Sequence, residues 1–157
     1  MPPKILYIDM DNVLVDFPSG IAKTPESIQR AYVDRLDEVP GIFALMDPVP
    51  GAIESFNELA ELFDTYILST SPWGNDTAWS DKLNWVKKYL GEKATKRLIL
   101  SHHKNLNLGH YLIDDRPNNG AKDFMGEFIL FCPLQPKLNF KFSTWEKLMA
   151  YMREQAK

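Results

Sequence analysis

The sequence predicts an α/β fold, a three-layer sandwich with a central parallel sheet. Three observations carry that prediction. Five short apolar runs recur along the chain, each is continuous rather than alternating, and segments of helical spacing lie between them. Continuous runs suit strands buried on both faces, as in a parallel sheet covered by helices. Strands that alternate with helices imply right-handed crossovers. At 157 residues the chain is close to one domain in size. A domain of this length buries roughly 70% of its unfolded surface, so folding needs no disulfide or metal staple.

The elements follow in order. Ile5-Leu6-Tyr7-Ile8 is the first strand, and Tyr66-Ile67-Leu68, Leu98-Ile99-Leu100, Tyr111-Leu112-Ile113 and Phe128-Ile129-Leu130-Phe131 are the other four. Pro50-Gly51 opens a helix with Ile53, Phe56, Leu59, Ala60 and Phe63 on one face. Leu83, Val86 and Leu90 mark a second helical face. Ser143 with Glu146 reads as a capping box before Leu148, Met149 and Met152. The segment from Pro18 to Pro48 breaks the alternation. In it Thr24-Pro25 reads as an N-cap and N1 pair, and Ile28, Tyr32 and Leu36 give a short amphipathic helix. A long connection with its own helix is expected to act as a lid, here beside the end of the first strand.

Composition sets outer limits. Apolar residues make up 45% and charged residues 25%, an ordinary globular balance. The net charge of −3 argues against a binder of nucleic acid polymers or anionic membranes. A single cysteine, Cys132, excludes an intramolecular disulfide and a cysteine-built zinc site. No apolar run is long enough for a membrane span, so a soluble, cytoplasmic protein is expected.

Ligands of an open parallel sheet gather at the carboxyl ends of its strands. The first strand ends in Asp9-Met10-Asp11-Asn12-Val13, the second in Ser69-Thr70-Ser71-Pro72, and the fourth in Asp114-Asp115-Arg116; Lys104 lies just beyond the third. Taken singly, each is an ordinary turn, loop or surface lysine. Together they bring four carboxylates, several hydroxyls and one ammonium to one edge. Such carboxylates repel one another unless a cation neutralises them. Oxygen-only ligands favour a hard ion such as Mg²⁺. A carboxylate beside that ion can attack phosphorus, while hydroxyls and a lysine hold the equatorial oxygens. A second carboxylate two residues on can protonate the leaving oxygen and later activate water. The adjacent His102 and His103 point different ways on most backbones and are not expected to form a metal pair.

These four motifs, in this order, resemble those of the haloacid dehalogenase superfamily of phosphohydrolases. More narrowly, Asp9-Met10-Asp11-Asn12-Val13-Leu14-Val15-Asp16-Phe17, Thr70-Ser71-Pro72 and Leu112-Ile113-Asp114-Asp115-Arg116-Pro117 resemble the 5′(3′)-deoxyribonucleotidase family. Asp47-Pro48-Val49-Pro50-Gly51-Ala52 resembles that family's return from its cap. The resemblance implies a Rossmann-like core (1–17 and 48–157) with a small helical cap at about 18–47. It implies Asp9 as nucleophile and Asp11 as general acid/base, with Thr70, Ser71 and Lys104 on the phosphoryl group. Mg²⁺ would be held by the Asp9 carboxylate, the Asp11 main-chain carbonyl and Asp115, with Asp114 in support or as the alternative ligand. Phe17 matches an aromatic that packs on the nucleobase. The family commonly has Gly at Asn12, and a basic residue where Trp73 offers either a stacking surface or a closure of the pocket.

The expected reaction is Mg²⁺-dependent hydrolysis of a small phosphomonoester through an aspartyl-phosphate. A nucleoside 5′(3′)-monophosphate, preferably a deoxyribonucleotide, is the expected substrate. The alternatives are a phosphatase for another small phosphate such as a sugar phosphate, a phospho-receiver domain, and a ligand-binding protein on a retired enzyme fold. Receivers place the acidic pair first and the phospho-accepting Asp after the third strand, the reverse of the order here. A cap this small leaves a site open enough for a second subunit to cover, so a homodimer fits the pattern.

Overall fold

The five apolar runs become five parallel strands of one sheet. In the computed structural model, which describes residues 1–135 and 140–157, these are β1 (Ile5–Ile8), β4 (Asp64–Ser69), β5 (Leu98–Leu100), β6 (Tyr111–Asp114) and β7 (Glu127–Leu130), in the order β5-β4-β1-β6-β7. The chain steps outward from β1 through β4 to β5, then crosses back to lay β6 on the other side of β1. The order therefore reverses beside β1, where ligands of such sheets bind. Asp9 N–H donates to the Ile113 carbonyl (2.9 Å), which carries the β1–β6 ladder to the strand ends.

Alternate strand residues separate the two faces of the sheet. Leu6, Ile8, Ile67 and Ile113 join the large cluster formed with α3 (Ala52–Leu62), α4 (Thr77–Tyr89) and α5 (Trp145–Gln155). Tyr7, Leu68 and Leu112 point the other way, into a smaller cluster with Ala121 and Phe124. That third layer is thin. Its connections form 3₁₀ turns at Lys104–Leu106 and Ala121–Asp123, because Gly109, Pro117, Gly120 and Gly126 punctuate short segments that leave no room for a helix.

A feature absent from the sequence reading frames the inserted segment. β2 (Val15–Asp16) and β3 (Asp47–Pro48) pair antiparallel, Val15 with Pro48 and Asp16 with Asp47, and close the insertion at its neck. Runs of two residues carry no periodicity, so nothing in the sequence marked them. Within the insertion, Asp16 caps α1 (Phe17–Ala22) by accepting from Ser19 N–H at 3.1 Å. Gly20 lies so close to the return segment that a Cβ would meet Met46 Cγ at 2.7 Å.

Four local expectations are corrected. Thr24 is not the N-cap of α2 (Glu26–Ala31): Pro25 holds that place, and the Thr24 hydroxyl donates to the Gly20 carbonyl (2.8 Å). The helix also stops before Leu36, since Asp34 adopts a left-handed φ of 65°, and Ile28 is exposed. On α4 the buried face is Ala78, Lys82, Trp85 and Val86, while Leu83 is exposed. The cap of α5 is Thr144, whose extended backbone lets its hydroxyl accept from Lys147 N–H (3.2 Å); Ser143 instead accepts from the Lys147 ammonium.

Candidate active site

The turn after β1 is wound around one carbonyl. Met10 C=O accepts from the N–H groups of Val13, Leu14 and Val15 at 3.1, 2.9 and 2.9 Å. That winding needs a left-handed residue, and Asn12 supplies it with φ 63°, a conformation Asn tolerates better than most residues with a side chain. The turn is braced from behind by the Trp145 indole, which donates to the Val13 carbonyl at 3.1 Å. Asp9 thus stands buried at the strand end, with Asp11 half-buried beyond it.

Lys104 arrives from the 3₁₀ turn after β5, itself held by Lys104 N–H on the Asn119 carbonyl (2.8 Å). Its ammonium donates to Asp9 Oδ1 (3.0 Å) and Asp114 Oδ2 (2.5 Å). The other Asp114 oxygen accepts from Arg116 N–H at 3.1 Å. Asp115 has no such donors among the described residues: its carboxyl meets that of Asp9. Ligand oxygens of Asp9, Asp114 and Asp115 all lie within 4.8 Å of one another, and this is the one such cluster among the described residues. His102 and His103 take no part in it.

The electrostatics follow from this arrangement. Burial opposes ionisation of Asp9, but Lys104, with help from Lys82, holds its carboxyl below the usual range. Burial and the Asp9 charge push Asp114 up to about 7 despite Lys104. Burial, Asp9 and Asp114 push Asp115 up to about 8. Burial raises Asp11 as well, against the pull of Lys82. Three carboxyls at one point with one ammonium between them leave a surplus of negative charge once they ionise. A hard divalent cation fits that surplus, and an all-oxygen donor set is the kind that Mg²⁺ takes.

The hydroxyl loop after β4 contributes unevenly. Thr70 lines the site and donates its hydroxyl to the Ser101 carbonyl at 2.7 Å. Ser71 is fully buried, and its hydroxyl has no hydrogen-bond partner among the described residues. A pit of about 20 Å³, lined by Asp9, Asp11, Thr70, Lys104, Asp114 and Arg116 among others, shares walls with a cleft of about 490 Å³. Phe17, Leu36 and Asp37 of the insertion and its neck line that cleft, and so do Pro72, Trp73 and His102 from outside the insertion. Phe17 packs edge-on against Phe43, ring centroids 5.8 Å apart. Trp73 is 86% exposed and touches the His102 ring edge-on at 5.9 Å. Both sequence-predicted aromatic contacts therefore reach the same cleft as Asp11.

Lys82 is the site residue that sequence reasoning missed. It is wholly buried, and its ammonium donates to Asp11 Oδ2 (3.0 Å), Ser69 Oγ (2.7 Å) and the Thr70 carbonyl (3.1 Å). The available signal was its place at helical spacing between Ala78 and Val86, a lysine on an apolar face.

A parallel sheet of this order, with carboxylates at the ends of the adjacent strands β1 and β6, fits the haloacid dehalogenase superfamily, and the relatives place the chain among its phosphatases. A solved phosphoserine phosphatase, captured as an analogue of its phospho-aspartyl intermediate, shares the fold: TM-score 0.56 at 15% identity, covering 96% of this chain and 99% of that one. A family model described as "5' nucleotidase, deoxy (Pyrimidine), cytosolic type C protein" matches residues 19–145. A protein of Vibrio phage KVP40, provisionally named a 5′(3′)-deoxyribonucleotidase, is 54% identical over 153 residues, 98% of this chain and 86% of its own. The human cytosolic-type 5′(3′)-deoxyribonucleotidase is 30% identical over 140 residues, 71% of this chain and 70% of its own. The chain belongs to the 5′(3′)-deoxyribonucleotidase family. No helix among the described residues is long and apolar enough to cross a membrane.

Proposed function

We propose that the protein hydrolyses deoxyribonucleoside monophosphates through a covalent phosphoenzyme. The observation that carries this reading is Asp9, buried at the β1 end, held ionised by Lys104 and facing the acidic pair at the β6 end. An Asp9 oxygen attacks phosphorus, and the bond from phosphorus to the nucleoside oxygen breaks as Asp11 gives that oxygen a proton. Water then attacks the aspartyl-phosphate, Asp11 takes up a proton, and orthophosphate leaves with Asp9 restored. Lys104 holds the phosphoryl oxygens, joined by the Thr70 hydroxyl once it turns from the Ser101 carbonyl, with the buried Ser71 hydroxyl, which has no partner among the described residues, behind them.

The Asp9 carboxylate, the Asp11 main-chain carbonyl and Asp115 would hold Mg²⁺. Asp114, with both oxygens already engaged, would support them. The ion supplies charge neutralisation between nucleophile and phosphate. Phe17 and Trp73 supply the aromatic faces that a base stacks on, worth ~1–3 kcal/mol per base. The cap, about 18–47, closes over the leaving nucleoside.

The test is phosphate release with and without Mg²⁺ across deoxyribonucleotides such as dTMP and dUMP, ribonucleotides and sugar phosphates. Metal-dependent release concentrated on deoxyribonucleotides is expected. Release spread evenly over the panel would replace nucleotide specificity with a general small-phosphate phosphatase. No release from any member would refute the hydrolytic reading.

A further inference from the structure

Lys82 occupies a position on α4 that an apolar side chain would fill at lower cost. Its neighbours on that face, Ala78, Trp85 and Val86, are core residues, and Lys82 has no exposed surface. A buried ammonium keeps its charge only where protein acceptors replace water, and a well-packed apolar residue is often at least as stabilising. The site around Lys82 is built for the charge. Three acceptors converge on it, and the Phe43 ring lies 4.7 Å from the nitrogen on a further side. The ammonium therefore joins the end of β4, the inserted segment through Phe43, and Asp11.

Asp11 needs such a tether. Its carboxylate turns on two single bonds and stands beside the cluster of Asp9, Asp114 and Asp115, where a bound cation would draw it in. Lys104 cannot hold it back, since that ammonium is spent on Asp9 and Asp114. Lys82 takes Oδ2 alone. The other oxygen, Oδ1, is buried with no hydrogen-bond partner among the described residues.

We infer that Lys82 is a positioning residue for proton transfer: by fixing Asp11 through Oδ2 it leaves Oδ1 as the oxygen that meets the leaving group. The contact with Phe43, which also packs on Phe17, links that aim to the seating of the cap. The inference rests on Asp11 as general acid/base.

The experiment compares two leaving groups in the presence of Mg²⁺. A deoxynucleoside monophosphate releases an alcohol that needs a proton, whereas p-nitrophenyl phosphate releases a stable anion that does not. Lys82→Met keeps the length of the side chain and removes the charge. The rate compared is kcat/KM, which reports the steps through departure of the leaving group and not the later hydrolysis of the phosphoenzyme that both substrates share. It is expected to fall about 30-fold or more on the nucleotide, within the range that acid–base catalysis supplies, and about 3-fold or less on p-nitrophenyl phosphate. In an Asp11→Asn background the same substitution should leave the ratio of the two rates unchanged. Equal losses on both substrates in a folded variant, or an undiminished effect in the Asp11→Asn background, would overturn the inference.

If Lys82→Met does not fold, Ser69→Ala removes one acceptor from Lys82 without touching Asp11. It should shift the ratio in the same direction by a smaller factor, and an unchanged ratio would overturn the inference. The parent reading is judged separately: wild-type turnover together with leaving-group sensitivity of Asp11→Asn supports it, and absence of both refutes it.

Discussion

The side-chain amide of Asn75 donates to the carbonyl of Val39 at 3.0 Å, pinning the inserted segment to the loop that follows β4. The same amide donates to the Asp37 carbonyl (2.9 Å), and Thr77 relays the anchor from Asn75 Oδ1 to Gly41 N–H. Gly74 permits the approach, because a Cβ there would meet Glu38 Oε1 at 2.7 Å. The cleft wall formed by Leu36 and Asp37 is thereby fixed relative to Thr70. Asn75→Ala strands two carbonyls, a loss of about 1–3 kcal/mol. A lower melting temperature is expected, with a rise in KM for the substrate larger than any fall in kcat. An unchanged KM would show that the cap keeps its place without Asn75.

Asp9→Asn tests the nucleophile. The amide cannot form the acyl-phosphate, so kcat should fall by about 10³-fold or more. The fold should persist, since the substitution also removes one charge from a cluster rich in them. Rapid-quench trapping of phosphorylated protein should give a signal for the wild type and none for the variant. A phosphoenzyme in Asp9→Asn would move the nucleophile elsewhere.

The acidic cluster links pH, metal and stability. Asp114 and Asp115 ionise in the unfolded chain near pH 4 but only at about 7 and about 8 in the metal-free fold. Between those limits the folded state binds more protons than the unfolded state, so stability falls as pH rises through that window. In EDTA the melting temperature should therefore drop between pH 5 and pH 8. Mg²⁺ should restore it at pH 8, by ~2.7 kcal/mol at a hundredfold excess over Kd, and have little effect at pH 5. Asp115→Asn should flatten the pH dependence and weaken the Mg²⁺ response together. A melting curve indifferent to Mg²⁺ at pH 8 would remove the metal from the site.

What the sequence made legible follows from where the signal is physical. Buried strands such as Tyr111–Asp114 need continuous apolar runs, and the residues that end them must face the ligand edge, so Asp9, Thr70, Lys104 and Asp114 could be read together. The β2–β3 neck could not, because two residues hold no period and their pairing is non-local. Leu83 misled for the opposite reason: its spacing fits the helical face, but Lys82 fills that place and turns Leu83 outward. A lysine reads as surface unless its three acceptors are known, and those come from the turn after β1 and from the end of β4, none of them on its own helix. Ser71 shows the remaining limit, since a motif position does not reveal that its hydroxyl is fully buried.

Trp73 separates base recognition from phosphate chemistry. At 86% exposure its ring contributes little to the core, so Trp73→Ala should change stability by no more than about 0.5 kcal/mol. Loss of a stacking face is worth ~1–3 kcal/mol, which corresponds to a rise of roughly 5- to 150-fold in KM for a deoxyribonucleotide. A sugar phosphate has no base to stack, and its kcat/KM should be unaffected. Phe17→Ala differs, because Phe17 also packs on Phe43 of the inserted segment; it should lower the melting temperature as well as weaken nucleotide binding. Steady-state rates on both substrates, paired with melting curves, distinguish the two aromatics. Equal effects of Trp73→Ala on nucleotide and sugar phosphate would assign Trp73 to closing the cleft rather than to reading the base.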